Sequence, residues 1–104
     1  MSSHSVHAVD CQTPDGDTLA LSGALTFATA TRAYEDANAA LERGAPTRLD
    51  LAGLTRADSA GLACVLALLA RASRSGRALR AANVPESLRA LAEVCDARGL
   101  LEAQ

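Results

Sequence analysis

Aromatic residues and lysine are scarce in this 104-residue chain, which has one Phe, one Tyr and no Trp, and whose ten basic residues are all Arg. Without aromatic bulk the core must be built from Leu, Val and Ala, so we expect a thin core and moderate stability. The arginines are spread along the chain and interrupted by acidic residues, and the net charge is −2. This pattern argues against a nucleic-acid-binding face.

Long apolar runs and paired cysteines are also absent. The longest apolar run, Ala60 to Ala70, is far shorter than the roughly 20 residues that a membrane-spanning helix needs. Three cysteines (Cys11, Cys64 and Cys95) form no CxxC pair, and Cys64 and Cys95 lie in helical apolar patterns where buried thiols are common. No secretory signal precedes the first predicted strand. We therefore expect a cytoplasmic protein in a reducing compartment.

Motifs for catalysis, nucleotide binding or metal binding are not recognisable. The glycines form neither GxxxxGK[ST] nor GxGxxG, and no local Ser-His-Asp or Cys-His set is present. His4 and His7 would point to opposite faces of an extended chain, which makes a poor metal pair. Asp50 and Asp58 flank a predicted loop and could bind a cation, but a strand-end residue and a helix cap are simpler roles. We expect no enzyme activity, cofactor or metal.

Strands and helices alternate along the chain. The pattern predicts a single α/β domain over residues 1–104, with a loose start (1–5), a short tail (100–104) and the order β-β-α-β-α-β-α. A mixed sheet of about four strands should pack against three or more helices, with an N-terminal hairpin at one side. The predicted strands are Val6–Gln12, Thr18–Ser22, Thr47–Leu51 and Leu79–Asn83; the predicted helices are Phe27–Arg43, Ser59–Ser75 and Pro85–Arg98.

Single faces of the first and third predicted helices are apolar. Ala30, Ala33, Tyr34, Ala37 and Leu41 recur at helical spacing in the first. Leu88, Leu91, Ala92 and Cys95 do so in the third, which we expect to start at Pro85 and to stop before Gly99.

The second predicted helix is apolar almost all the way round. Leu62, Val65, Leu66 and Leu69 form the face expected to pack on the sheet. The opposite side, with Gly61, Cys64, Ala67, Leu68 and Ala70, is also apolar. This side needs a second cover, which is either a neighbouring helix of the same fold or a partner protein.

An acidic residue and a hydroxyl precede this helix, after a predicted loop from Ala52 to Asp58. A strand, a polar cap, a glycine and a helix together can present a hydroxyl and free backbone N–H groups at the surface. Ser59 is the natural hydroxyl there, although Asp58 could be the N-cap instead. Ser59 is therefore a simple capping residue, a contact residue or a phosphorylation switch.

These residues resemble the STAS domain family over about Val6 to Leu100. The likeness rests on the element order, the strand Leu49-Asp50-Leu51, the segment Asp58-Ser59-Ala60-Gly61-Leu62 and the hairpin segment Leu21 to Leu25, which reads L-x-G-x-L. The family includes anti-sigma-factor antagonists and the small cytoplasmic subunit of the Mla phospholipid ABC transporter, which serves outer-membrane lipid asymmetry. Antagonists commonly read DSSGL, whereas the Mla-type subunit tends to read D-[ST]-[AG]-G-L-A, which is closer to this chain.

The resemblance implies a non-enzymatic accessory subunit that binds the transporter ATPase and is held at the inner membrane through it. Its docking residues would be Asp58, Ser59, Ala60, Gly61 and Leu62. To these we add Thr55, Arg56 and Cys64 as neighbouring positions that we expect to be exposed. The alternative is an anti-sigma-factor antagonist that sequesters a kinase and is switched by phosphorylation of Ser59. A small-ligand binder is a third alternative, and the isolated chain could pair as a homodimer through the uncovered helix side.

Overall fold

The sheet of this protein has four strands in the order β1-β2-β3-β4. In the computed structural model, which describes residues 9–44 and 46–102, they are β1 (Val9–Asp15), β2 (Thr18–Leu25), β3 (Arg48–Ala57) and β4 (Arg80–Ala82). β1 and β2 are antiparallel, whereas β2–β3 and β3–β4 are parallel. The predicted mixed sheet with a hairpin at one side is confirmed. His4, His7 and the predicted loose segment 1–5 lie outside the described residues.

The described residues also form four helices, which alternate with the later strands: α1 (Ala30–Arg43) follows β2, α2 (Ser59–Arg74) follows β3, and α3 (Glu86–Val94) and α4 (Arg98–Glu102) follow β4. The predicted order is confirmed, with the last helix divided in two. α1 contacts β1 and β2, α2 packs against α1, α3 and α4, and α4 also contacts β4. Among the described residues no helix is long and apolar enough to cross a membrane.

Leucines from alternate strand positions form the centre of the core. Leu19, Leu21, Leu25, Leu49 and Leu51 are fully buried. They meet the predicted face of α1, where Ala33, Ala37 and Leu41 are buried and Ala30 and Tyr34 pack at the margin. The buried hydrophobic residues of the described chain are Leu, Val, Ala and Cys alone, so the core is the aromatic-free one that the composition predicts.

β3 is longer than predicted. The strand continues through Ala57, so the predicted loop from Ala52 to Asp58 is wrong. Its pairing with β2 shifts register between Ala20 and Ser22, opposite Asp50 and Gly53, and Leu54 is still buried. The shift interrupts the period of two on which the strand prediction depended. At Gly53 the strands are close, because a Cβ there would lie 2.7 Å from the Cβ of Ser22.

α1 starts at Ala30, three residues later than predicted. The preceding turn is closed by Thr29, whose hydroxyl donates to the Ala24 carbonyl (2.7 Å) and accepts from the Thr26 N–H (3.0 Å). The backbone N–H groups of Thr29 and Ala30 both donate to the Thr26 carbonyl. This turn leaves Phe27 outside the helix.

The prediction of one continuous C-terminal helix is wrong, and several of its details differ from the structure. Asp96 has a left-handed backbone (φ 57°), which separates α3 from α4, and Gly99 lies inside α4 instead of ending a helix. Leu88 and Ala92 are buried and Leu91 partly so, but Cys95, which we expected to be buried, is exposed. Pro85 is the N-cap of α3 and not its first residue.

Candidate docking site

Asp58 is the residue that caps α2. Its backbone is extended (φ −115°, ψ −168°), and its Oδ1 accepts the N–H of Gly61 at 3.0 Å. The other carboxylate oxygen, Oδ2, accepts the N–H of Phe27 at 3.0 Å. Of the two alternatives for this cap, Asp58 therefore takes the role and Ser59 is the first helical residue.

The electrostatics of this cap favour a charged carboxylate. The hydrogen bonds from the backbone N–H groups of Phe27 and Gly61 lower the pKa of Asp58 below its ordinary value. The N-terminal end of a helix also carries a partial positive charge that stabilises an anion. Because both oxygens bind within the fold, Asp58 positions the site.

Gly61 and Leu62 are packing residues. Gly61 is buried against the end of β2, where a Cβ would overlap the carbonyl oxygen of Leu25 and lie 3.1 Å from its carbonyl carbon. Leu62 is in the core. The glycine allows the first turn of α2 to lie directly on the strand end, so these two motif residues serve the fold.

Ser59 is the part of the motif that faces solvent. It is exposed, and its hydroxyl has no hydrogen-bond partner among the described residues. Ala60 is half-buried, whereas Thr55 and Arg56, near the end of β3, are exposed as expected. The structure brings Ser59, Thr55 and Arg56 to the same end of the sheet.

Most of the far side of α2 is covered by the protein itself. Cys64 is 5% exposed and Leu68 is fully buried, so the expectation that Cys64 is an exposed contact residue is wrong. Burial raises the pKa of its thiol to about 11. α2 contacts α1, α3 and α4. The sequence of α2 alone does not show that these helices pack against it.

One face of α2 between Ser59 and Ala70 is left partly open, and we call this narrow strip the α2 stripe. It contains the exposed residues Ser59, Ala63 and Ala70 and the half-buried Leu66 and Ala67. The stripe carries no charge between Ser59 and Ala70, and its side chains are small apart from Leu66. A uniform, uncharged helix face of this kind permits close approach of another protein surface.

Phe27 is a feature of the site that the sequence analysis missed. Its side chain is 85% exposed, and its backbone N–H is fixed on Asp58, next to Ser59 in the chain. The sequence pattern predicts Phe27 at the start of a helix, whereas α1 starts at Ala30. The signal that could have identified it is the pair Thr26 and Thr29 around the only Phe of the chain, because such hydroxyls favour turns.

The Asp50–Asp58 alternative does not form a cation site. The two residues are separated by most of β3 and flank no loop. Asp50 accepts from the Asn83 side chain and the Ala52 N–H, both at 3.0 Å, and these hydrogen bonds lower its pKa. Within residues 9–44 and 46–102 no group of His, Cys, Asp and Glu could hold a metal ion.

A surface depression of about 370 Å³ lies at the opposite end of the sheet, between the β1–β2 turn and the end of α1. Thr13, Thr18, Arg43 and Pro46 are among its lining residues. It is therefore remote from Ser59.

A family model and a solved structure both match this chain. Residues 9–102 match the family model described as "Mlab, STAS domain". A solved structure with the same fold is the anti-sigma factor antagonist SpoIIAA in its unphosphorylated form, with a TM-score of 0.67 and 16% sequence identity over 88% of this chain and 84% of that one. A search of curated proteins finds no match.

Proposed function

The chain belongs to the family of Mlab STAS domains, and from this premise we propose that it is a non-enzymatic accessory subunit of a bacterial Mla-type lipid-transport ABC complex. It binds the cytoplasmic ATPase subunit through Ser59 and the α2 stripe and supports assembly or activity of the transporter. It stays in the cytoplasm, at the inner membrane through this partner.

The observation that carries the proposal is the position of Ser59. Its exposed hydroxyl has no partner among the described residues, yet its backbone is held by the Asp58 cap. A polar group on a fixed helix start, followed by small uncharged residues, resembles the centre of a protein interface, where charged residues are depleted. Ala63 and Ala70 let a partner approach the α2 backbone closely.

The test is recovery of the partner followed by a change at Ser59. The tagged chain is purified from its host in mild detergent, and the proposal expects an ABC ATPase and a permease in the mass spectrum. Ser59→Arg should abolish that recovery, because a long charged side chain would occupy the interface. Ser87→Arg is the matched control, since Ser87 is an exposed serine in the first turn of α3.

Two results would count against the proposal. One is recovery of a kinase without any ATPase. The other is unchanged ATPase recovery with Ser59→Arg, which would leave the site as a helix start and nothing more.

The second candidate is an anti-sigma-factor antagonist switched at Ser59. It is favoured by the exposure of the Ser59 hydroxyl at a helix N-terminus, where a phosphate is accommodated but adds about 1.5 to 2 negative charges. A switch predicts that Ser59→Ala retains kinase binding, that Ser59→Asp abolishes it, and that cells contain a phosphorylated pool. Permanent docking predicts no phosphorylated pool. It also predicts that ATPase binding falls as the side chain substituted at Ser59 becomes larger.

A further inference from the structure

Phe27 is a large apolar side chain that the fold exposes and does not use. It is 85% exposed, and the other large hydrophobic residues with high exposure, Val94 and Leu100, lie far along the chain in α3 and α4. Aromatic residues, Phe among them, are enriched at protein interfaces relative to the rest of the surface.

The backbone around Phe27 is fixed. Thr29 closes the turn through hydrogen bonds to Ala24 and Thr26, and Asp58 accepts the N–H of Phe27 itself. The aromatic ring is therefore presented from a braced turn, next to the start of α2. A segment whose backbone is held in this way loses less conformational entropy on binding than a loose loop does.

Two exposed arginines lie on the strand and the helix that flank Phe27. Arg56 pairs with Ala24 in the register of β3 and β2, two residues before Asp58, and Arg32 lies in the first turn of α1. Both arginines are exposed, and neither has a salt-bridge or hydrogen-bond partner in the part of the chain that the structure describes. The nearby Asp58 carboxylate is already engaged by two backbone N–H groups.

We propose that Phe27 is the aromatic anchor of the docking site, and that it inserts into an apolar pocket of the ATPase subunit that is rimmed by carboxylates facing Arg32 and Arg56. This inference rests on the proposed function and names the chemistry of its partner surface. A second copy of the chain is a poorer occupant, because a two-fold contact centred on Phe27 would bring the same arginines of both copies to one interface.

The experiment titrates the purified ATPase subunit of the host's Mla-type transporter with the full chain by calorimetry. Phe27→Ser should weaken binding by roughly tenfold or more, as expected for an anchor residue. Val94→Ser is the matched control, since Val94 is 83% exposed and lies at the end of α3. Both variants should retain the wild-type melting curve, because neither side chain is part of the core.

The charged rim is tested by Arg56→Glu with Arg80→Glu as its control. Both are exposed strand arginines and give the same change in net charge. Arg80 pairs with Arg48 at the start of β3. The length of strand between Arg48 and Arg56 is roughly 26 Å, at about 3.3 Å per residue, so Arg80 is far from Arg56. Only Arg56→Glu should weaken binding to the ATPase subunit. Added salt should weaken the wild-type complex and reduce the difference in affinity between wild type and Arg56→Glu.

Each outcome decides a different claim. If Phe27→Ser binds like wild type while Ser59→Arg does not bind, the anchor is wrong and the proposed function stands. If wild type does not bind the ATPase at all, both fail. If wild type is a dimer that Phe27→Ser dissociates without a change in ATPase affinity, the occupant is a second copy and the inference is overturned.

Discussion

The carboxylate of Asp58 holds the backbone N–H of Phe27 at 3.0 Å, across a separation of 31 residues. The same carboxylate caps α2 through Gly61. One side chain therefore connects the turn before α1 to the start of α2, and it sets where Phe27 and Ser59 stand relative to each other. The relative position of Phe27 and Ser59 and the local stability of the fold therefore depend on the same residue.

Asp58→Ala should therefore destabilise the protein and loosen the site together. Loss of an N-cap costs about 1 kcal/mol, and loss of the hydrogen bond between Asp58 and the Phe27 N–H adds to that cost. Asp58→Asn should recover part of the loss, because its amide has only one acceptor oxygen. Urea unfolding followed by circular dichroism measures both variants; equal stability of Asp58→Ala and wild type would show that the cap contributes nothing.

Acid should destabilise the protein through the same carboxylate. The folded state lowers the pKa of Asp58, so the unfolded state binds more protons as the pH approaches the ordinary Asp value of about 3.9. The stabilisation is complete above that value and is lost as the pH falls through the lower, folded pKa. The free energy of unfolding, measured between pH 7 and pH 3, should depend less steeply on pH in Asp58→Asn than in wild type. Equal slopes would contradict this role.

Gly61→Ala should cost about 1–3 kcal/mol, in the range of overpacking, because the new methyl group would meet the carbonyl oxygen of Leu25. Gly99→Ala is the control, since Gly99 is also helical but a Cβ there has nothing within 4 Å. That change should be neutral or stabilising by about 0.5–1 kcal/mol. Thermal melts compare the two; a Gly61→Ala melt at or above wild type would show that α2 can move away from β2.

Some elements of this fold can be predicted from the sequence, and others cannot. The face of α1 around Ala33, Ala37 and Leu41 was predictable, because helical spacing alone determines it. The length of β3 was not, because the register shift at Gly53 breaks the alternation of buried and exposed residues. A tertiary irregularity of this kind leaves little local signal.

In the candidate site, too, some features follow from the local sequence and others depend on tertiary packing. The cap position was predictable from Asp58 and Ser59, whereas the burial of Cys64 depends on where α1, α3 and α4 pack. An apolar residue on the second side of a helix is compatible with a partner protein or with a neighbouring helix, and only the fold distinguishes the two. Phe27 was missed because the turn that exposes it is closed by Thr29, a contact that helical periodicity does not reveal.

The cysteines give a chemical test of that burial. Cys95 is exposed, whereas Cys64 is buried with its thiol pKa raised to about 11, so its thiolate is scarce at pH 8. Iodoacetamide at pH 8 should modify Cys95 readily and Cys64 only after urea unfolds the chain. Peptide mass spectrometry over time gives both rates. Comparable rates in the folded protein would place Cys64 at the surface and return it to the candidate docking residues.

The pairing of Arg48 with Arg80 on adjacent parallel strands puts two like charges side by side on exposed positions. Such a pair is unfavourable, so Arg80→Glu should stabilise the protein by about 0.2–1 kcal/mol at low salt. This gain in stability should shrink at high salt, because salt screens the interaction between positions 48 and 80. It should vanish in a protein that carries Arg48→Thr, because position 48 then has no charge. A double-mutant cycle of urea unfolding, run at 0.05 M and 1 M salt, measures the coupling. A gain that survives the loss of Arg48 would mean that Arg80 is unfavourable for a reason other than its neighbour.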